Sequence, residues 1–403
     1  MREPGEAPDV VIVGGGVIGL GIAWRAASRG LAVTVVDDQP GRGASWAAAG
    51  MLAPVGEVHY GEQALLRLNL AAAERWPGFA AELEDLTGRQ VGYRRNGTLI
   101  VARDADDNAA LDDLYRFQRS LGLDSERLRG RECRQLEPGL APGVRGGILA
   151  ASDAQVDNRA LVEALLLACD RAGVRLLPGR VNLIQVGGAG TTRVRGVTLA
   201  GGDRIEAPTV LLAAGCWSAA IEGVPPELAP PVRPVKGQLL HLRGPREAPV
   251  CHHNVRGLDV YVVPRADGRV VVGATVEERG FDAAVTARAV HDLLRAALEL
   301  LPDSGELALT ETVAGLRPGS PDNAPLLGKL SDGLVVAAGH YRNGILLTPV
   351  TADAVAELLA SGQVPELIAP FSPLRFSATA AAPLAAGMPA AAGAVAEAGG
   401  GRR

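Results

Sequence analysis

The alternation of apolar and polar residues divides the chain into a series of recognisable elements. Val10–Val13 is an apolar run that reads as a buried strand, Gly14–Gly16 as a tight turn, and Gly19–Ser28 as a helix ending near Gly30. Val33–Val36 then reads as a second strand. Helical periodicity follows at 62–87 and 107–121, separated by the strand-like stretch Tyr93–Arg103 with its Asn96-Gly97 turn signal. Asn158–Arg171 predicts a helix leading into a strand at Val174–Val186, and Thr209-Val-Leu-Leu-Ala-Ala-Gly215 predicts another buried strand closed by glycine. From about 236 to 276 the pattern changes to antiparallel strands at Gln238–Leu242, Val260–Val263 and Arg269–Ala274. The last two are joined across Arg265-Ala266-Asp267-Gly268, read as a hairpin turn. A charged helix fits 285–301. The last ordered unit is a strand at Leu334–Ala338, a glycine turn and a helix from about Gly344 to Leu359.

This order predicts an α/β chain built from two interleaved domains. One is a Rossmann-like dinucleotide domain drawn from 1–85, 150–232 and 315–371. The other is an antiparallel-sheet α+β substrate domain from 86–149 and 233–314. Residues 377–403 are rich in Ala and Gly with almost no charge before Arg402-Arg403, and are expected to form a disordered tail.

Composition narrows the classes of function. The 403 residues are 47% hydrophobic and 21% charged, an ordinary balance for a soluble globular protein. A net charge of -5 advertises neither nucleic acid nor an anionic membrane as partner. Cys133, Cys169, Cys216 and Cys251 lie far apart without metal-finger spacing, which suits a reduced compartment. No signal peptide and no apolar stretch of membrane-spanning length is visible, so the expectation is a cytoplasmic protein. His252 and His253 are adjacent and would point to opposite sides of a strand, so no metal site is expected. Cys216 reads as packing rather than a nucleophile.

Gly14-Gly15-Gly16-Val17-Ile18-Gly19 matches GxGxxG between a strand and a helix. Gly14 permits the tight turn, Gly16 lets backbone approach a pyrophosphate, and Gly19 lets the helix pack closely on the strand. Asp37, at the end of the next strand, is placed to accept hydrogen bonds from ribose hydroxyls, with Asp38 beside it. Two later strand-then-glycine units, ending at Gly215 and Gly339, separate FAD from NAD. The second leads into a helix whose positive N-terminal end suits the negative N1/O2 edge of a reduced flavin.

Four segments carry a family resemblance: Gly43-Ala-Ser-Trp-Ala-Ala-Ala-Gly-Met-Leu-Ala-Pro54, Pro234-Val-Lys-Gly-Gln238, Ala314-Gly-Leu-Arg-Pro318 and Gly339-His-Tyr-Arg-Asn-Gly-Ile-Leu-Leu347. Over roughly residues 9–376 the chain resembles the D-amino-acid oxidase superfamily of FAD-dependent oxidoreductases, and within it the glycine oxidases of thiamine biosynthesis. The resemblance implies FAD held by Val17 and Ile18 in the turn, Asp37 at the ribose, Ala44 and Ser45, with Val181 flanking the adenine. Ala49, Gly50 and Met51 would lie near the isoalloxazine. His340, Tyr341, Arg342, Asn343, Gly344, Ile345 and Leu346 would close over the ring. Tyr261, Arg317 and Arg342 match the positions that hold substrate in similar enzymes. Val276 stands where the family can place a methionine, which leaves substrate breadth open. Gly315-Leu316 stands where sarcosine oxidases carry a flavin-linking cysteine, so FAD is expected to be non-covalent. Similar enzymes are homotetramers.

The chemistry of these residues agrees with that reading. An α-amino acid presents a carboxylate, and arginine offers a planar, permanently charged fork that grips it. The expected reaction moves the Cα hydrogen as hydride to flavin N5, and needs no dedicated general base if the amine arrives neutral. Oxygen then takes the electrons to give peroxide, while the imine hydrolyses to an oxo acid, glyoxylate from glycine, and ammonia. A D-amino-acid or sarcosine-type oxidase, a dehydrogenase with a non-oxygen acceptor, and a flavoprotein that binds without turnover are the alternatives.

Overall fold

A computed structural model describes residues 7–187 and 193–377. The tail expected at 377–403 lies, after Ser377, outside the described residues. Val10–Val13 (β1) is buried at every position, as a central parallel strand must be. It pairs in parallel with Val33–Asp37 (β2) on one side and Thr209–Leu212 on the other. The helix between them (α1, Val17–Ser28) begins two residues earlier than the glycine pattern predicts, because Val17 and Ile18 already form its first turn. The full sheet has six strands, in the order Leu326–Ser331, Leu334–Ala338, Thr209–Leu212, β1, β2 and Arg175–Pro178. Only the pairing of the first two is antiparallel.

A second sheet has eight strands: Ala308–Gly319, Arg233–Arg243, Arg269–Gly273, Tyr261–Pro264, Asn254–Arg256, Thr98–Ala102, Gly146–Ala150 and Glu126–Arg129. All its pairings are antiparallel except that of Asn254–Arg256 with Thr98–Ala102. Ala308–Gly319 pairs with Arg233–Arg243 along its whole length, so the boundary expected at residue 315 cuts through a strand of this sheet. Its polar outer half hides it from apolar periodicity.

Two further expectations are corrected. The strand expected over Val174–Val186 is two strands, Arg175–Pro178 and Val181–Val186, which join different sheets. Pro178, which lacks an N–H, and Gly179 break the run between them. The last helix runs over Thr348–Ser361 rather than from Gly344, after a short 3₁₀ turn at Tyr341–Asn343. Pro349 explains the start, since it fits a helix only in its first turn. This helix packs on α1 so closely that a Cβ on Gly21 would sit 3.3 Å from that of Ala352.

Candidate functional site

One elongated cleft of about 870 Å³ runs between the two sheets. At one end lies the glycine-rich turn. Gly14 has φ +106, and a Cβ there would sit 2.5 Å from the Ala213 carbonyl oxygen. A Cβ on Gly19 would meet the Gly14 oxygen at 2.0 Å. Both glycines are therefore required by the turn and its packing, and Gly14, Gly16, Val17 and Ile18 line the cleft. Gly19 does not line it; its part is to let α1 close on β1. The Asp37 carboxylate accepts from the Gly15 N–H at 2.6 Å and the Gln39 N–H at 2.7 Å. It thus buttresses the turn while facing the cleft. Asp38 pairs with Arg180 at 2.7 Å, and Val181 follows on the same wall.

The middle of the cleft is walled by Ala44, Ser45, Ala49, Gly50 and Met51 on one segment, Gly215 after its strand, and the His340–Ile345 turn. Ser45 Oγ accepts from the Val17 N–H at 3.1 Å, joining the first segment to the start of α1. Within the turn, His340, Tyr341, Arg342, Gly344 and Ile345 line the cleft, whereas Asn343 and Leu346 do not. Leu346 is in the core, its carbonyl accepting from Trp76 Nε1 at 2.8 Å. The His340 imidazole is buried against Thr351 Oγ1 at 3.2 Å. Burial alone lowers it to about 3, so it stays neutral.

Tyr261, Arg317, Arg342 and Val276 line the same cleft. Tyr261 opens the strand Tyr261–Pro264, and burial pushes its phenol up to about 12 although the Arg317 charge pulls the other way. Its hydroxyl therefore stays a donor at any ordinary pH. Arg317 Nη1 donates to the Thr275 carbonyl at 3.1 Å and the Lys236 carbonyl at 3.4 Å. Among the described residues, no carboxylate pairs with Arg317 or Arg342. These two cations border the cleft, Arg317 held by carbonyls and Arg342 5.1 Å from the centre of the Tyr341 ring, with no described carboxylate in ion-pair contact.

Sequence reasoning missed several residues. Glu57, His59, Arg256 and Asp259 line the mouth, with Glu57 3.6 Å from Arg256. Burial, then the Arg342 charge, lowers the His59 imidazole. The loop carrying Glu57 is held by buried Asp153, which accepts from the Val55 N–H at 3.2 Å and the Gly56 N–H at 3.0 Å. Burial raises that carboxyl to about 7. Arg265, read as a turn residue, is 7% exposed. Arg256-Gly-Leu-Asp259, just before Tyr261, was the available sign for the mouth; Arg265 gave none. His253 turns to Glu137 at 2.6 Å, and no group of residues suited to a metal ion occurs among those described. Cys216 is buried, which raises its thiol to about 12 and disables it as a nucleophile. No described helix is long and apolar enough to cross a membrane.

A glycine turn at a helix N-terminus, an acid at the end of the second strand and a long cleft beside them define a dinucleotide-binding protein. The chain belongs to the DAO family, the FAD dependent oxidoreductases, which it matches over residues 9–358. Its cofactor is FAD. It is 35% identical to a glycine oxidase of Geobacillus kaustophilus, covering 90% of this chain and 96% of that protein. A crystal structure of glycine oxidase from the same organism superposes with a TM-score of 0.84 at 34% identity, over 91% of this chain and 98% of that one. A bifunctional protein ThiO/ThiG of Synechocystis sp. is 38% identical over 93% of this chain, which spans only 55% of that relative.

Proposed function

We propose that this chain oxidises glycine and other small amino acids or amines to the imine, which water converts to an oxo acid and ammonia. The observation that carries the reading is the pair Arg317 and Arg342, unpaired by any described carboxylate, beside the Tyr261 hydroxyl in a flavin cleft. FAD, held by the Gly14–Ile18 turn, Asp37 and the 44–51 segment, would supply the acceptor for the substrate's Cα hydrogen as hydride and the route for its electrons to oxygen, giving peroxide. Arg342 and Arg317 grip the substrate carboxylate with charge-assisted hydrogen bonds, and Tyr261 donates a further one. Held by that end, a small amino acid has its Cα fixed in one orientation, which supplies much of the rate. The half built on the six-stranded sheet holds the cofactor, and the half built on the eight-stranded sheet holds the substrate. Every cysteine described is buried, which supports non-covalent FAD. Cys216, the one cysteine lining the cleft, has a disabled thiol.

The names of the relatives support glycine as substrate; thiamine (thiazole) biosynthesis as the setting and a cytoplasmic homotetramer complete the proposal. Exposed Val276 at the mouth leaves room for larger amines, including sarcosine and D-amino acids. The test is a panel of glycine, sarcosine and D-alanine with peroxide detection, alongside anaerobic bleaching of the flavin. Bleaching by glycine with peroxide in air is the expected result. Bleaching without peroxide would make the enzyme a dehydrogenase, and no bleaching by any of the three would overturn the reading.

A further inference from the structure

We infer that Arg265 is a positioning residue, a buried bolt that fixes the flavin-facing loop to the sheet carrying Tyr261. It follows the strand Tyr261–Pro264 and opens the hairpin turn, closed by its own N–H donating to the Arg269 carbonyl at 2.7 Å. Its side chain leaves the turn and runs inward. Nη1 donates to Gln155 Oε1 at 2.6 Å and to the Val156 carbonyl at 2.9 Å. Nη2 donates to the Ala49 carbonyl at 2.6 Å and to Asn158 Oδ1 at 3.4 Å. A guanidinium that is 7% exposed thus has four acceptors, and among the described residues no carboxylate pairs with it.

The acceptors form one connected structure. Gln155 returns a hydrogen bond from Nε2 to the Pro264 carbonyl at 2.8 Å, closing a ring with the strand that bears Arg265. Asn158 Nδ2 donates to the Ser45 carbonyl at 2.8 Å and the Trp46 carbonyl at 2.9 Å. Ser45 Oγ in turn holds the first amide of α1. Gly50 is fixed from the other side, its carbonyl accepting from the Val156 N–H at 2.9 Å. It adopts φ +72, where a Cβ would lie 2.0 Å from the Val156 oxygen. One side chain therefore spans the substrate sheet, the 44–51 loop and, through Asn158, the entry to α1. A buried cation placed this way is costly to desolvate; the carbonyl dipoles offset part of that cost, and the Asp157 and Asp267 carboxylates, beyond pairing distance, favour the charge as well. Its removal leaves buried carbonyls without donors and loosens the segment's polar tie to the sheet, leaving apolar contacts such as Ala47 and Ala49 against Leu239 and Val263.

The consequence is a split between cofactor geometry and substrate recognition, since Arg317 and Arg342 lie on other segments and keep their forks. The inference rests on FAD occupying the cleft and not on glycine being the substrate. The experiment titrates the apoproteins of wild type, R265K, R265M and Q155L with FAD, following flavin fluorescence. It then measures the limiting rate and KM for the best amine substrate. Expected for R265M are FAD binding weakened at least tenfold, an altered visible flavin spectrum and a limiting rate down at least tenfold. KM should stay within about twofold, with R265K intermediate. R127M, which strips a comparable set of contacts to carbonyls at the outer edge of the same sheet, should leave FAD affinity unchanged. Wild-type FAD affinity and rate in R265M overturn the inference, as does a loss confined to KM. If R265M yields no folded protein, Q155L decides: weakened FAD binding supports the bolt, and wild-type binding overturns it.

Discussion

Arg265 and the pair Arg317–Arg342 serve one cleft from different sides, and their surroundings are opposite. Arg265 has spent its donors on the protein, behind the loop that walls the flavin. Arg342 has no carboxylate partner among the described residues, and Arg317 gives only one nitrogen to backbone carbonyls. Charge identity says nothing of role here; what separates them is which acceptors remain for a ligand to supply. In the proposed reading the first region organises the cofactor's environment, and the second receives the substrate's carboxylate.

The sharpest break in that comparison is Arg342→Ala. Losing a charge-assisted pair costs ~2–5 kcal/mol, read as a rise in KM for glycine with FAD affinity kept. An unchanged KM would remove Arg342 from the carboxylate site. Arg317→Ala should follow at ~1.5–3 kcal/mol, the range for a hydrogen bond to a charged group, again measured as KM. Tyr261→Phe removes one hydroxyl donor and should cost only ~0.5–1.5 kcal/mol in kcat/KM. Because its phenol lies at about 12, wild type should show no Tyr261 titration in a pH–rate profile up to pH 10.

The smallest effect concerns pH and the flavin-facing turn. His340 titrates at about 3 folded, against 6.5 for an ordinary imidazole. Between those values the unfolded chain holds a proton that the folded chain does not. Stability must then fall as pH falls from about 6.5 towards 3. His340→Gln should flatten that acid limb of Tm against pH while lowering Tm at pH 8 slightly. An unchanged acid limb would show that other groups set it.

How much of this could be read beforehand depended on whether a feature is local. β1, the glycine turn, α1 and β2 lie within Val10–Asp37, so pattern, spacing and chemistry all fall in one window. The family resemblance supplied Tyr261, Arg317 and Arg342, the last two within its four short segments, and all three line the cleft. The strand Ala308–Gly319 escaped because its outer half is exposed and lacks apolar alternation. Arg265 escaped for a different reason: Arg-Ala-Asp-Gly is turn chemistry, and nothing local reveals that its side chain reaches residues 49, 155, 156 and 158. Asn343 and Leu346 were drawn into the cleft by their segment, yet neither lines it: Leu346 lies beyond the 3₁₀ turn in the core, and within the turn only Tyr341 and Arg342 border the cleft.

The two carbonyls that hold Arg317 have one more implication, for ligand size. A guanidinium carries five N–H donors. The two on Nη1 are directed to Thr275 and Lys236, which leaves those on Nη2 and Nε. Folding has already frozen the side chain's rotamers, so a ligand does not bear that ordering cost on arrival. A molecule of five heavy atoms offers few contacts with which to immobilise a floppy site. On the proposed reading, a fork set in advance by its own backbone is what would let so small a guest be held chiefly by its charge.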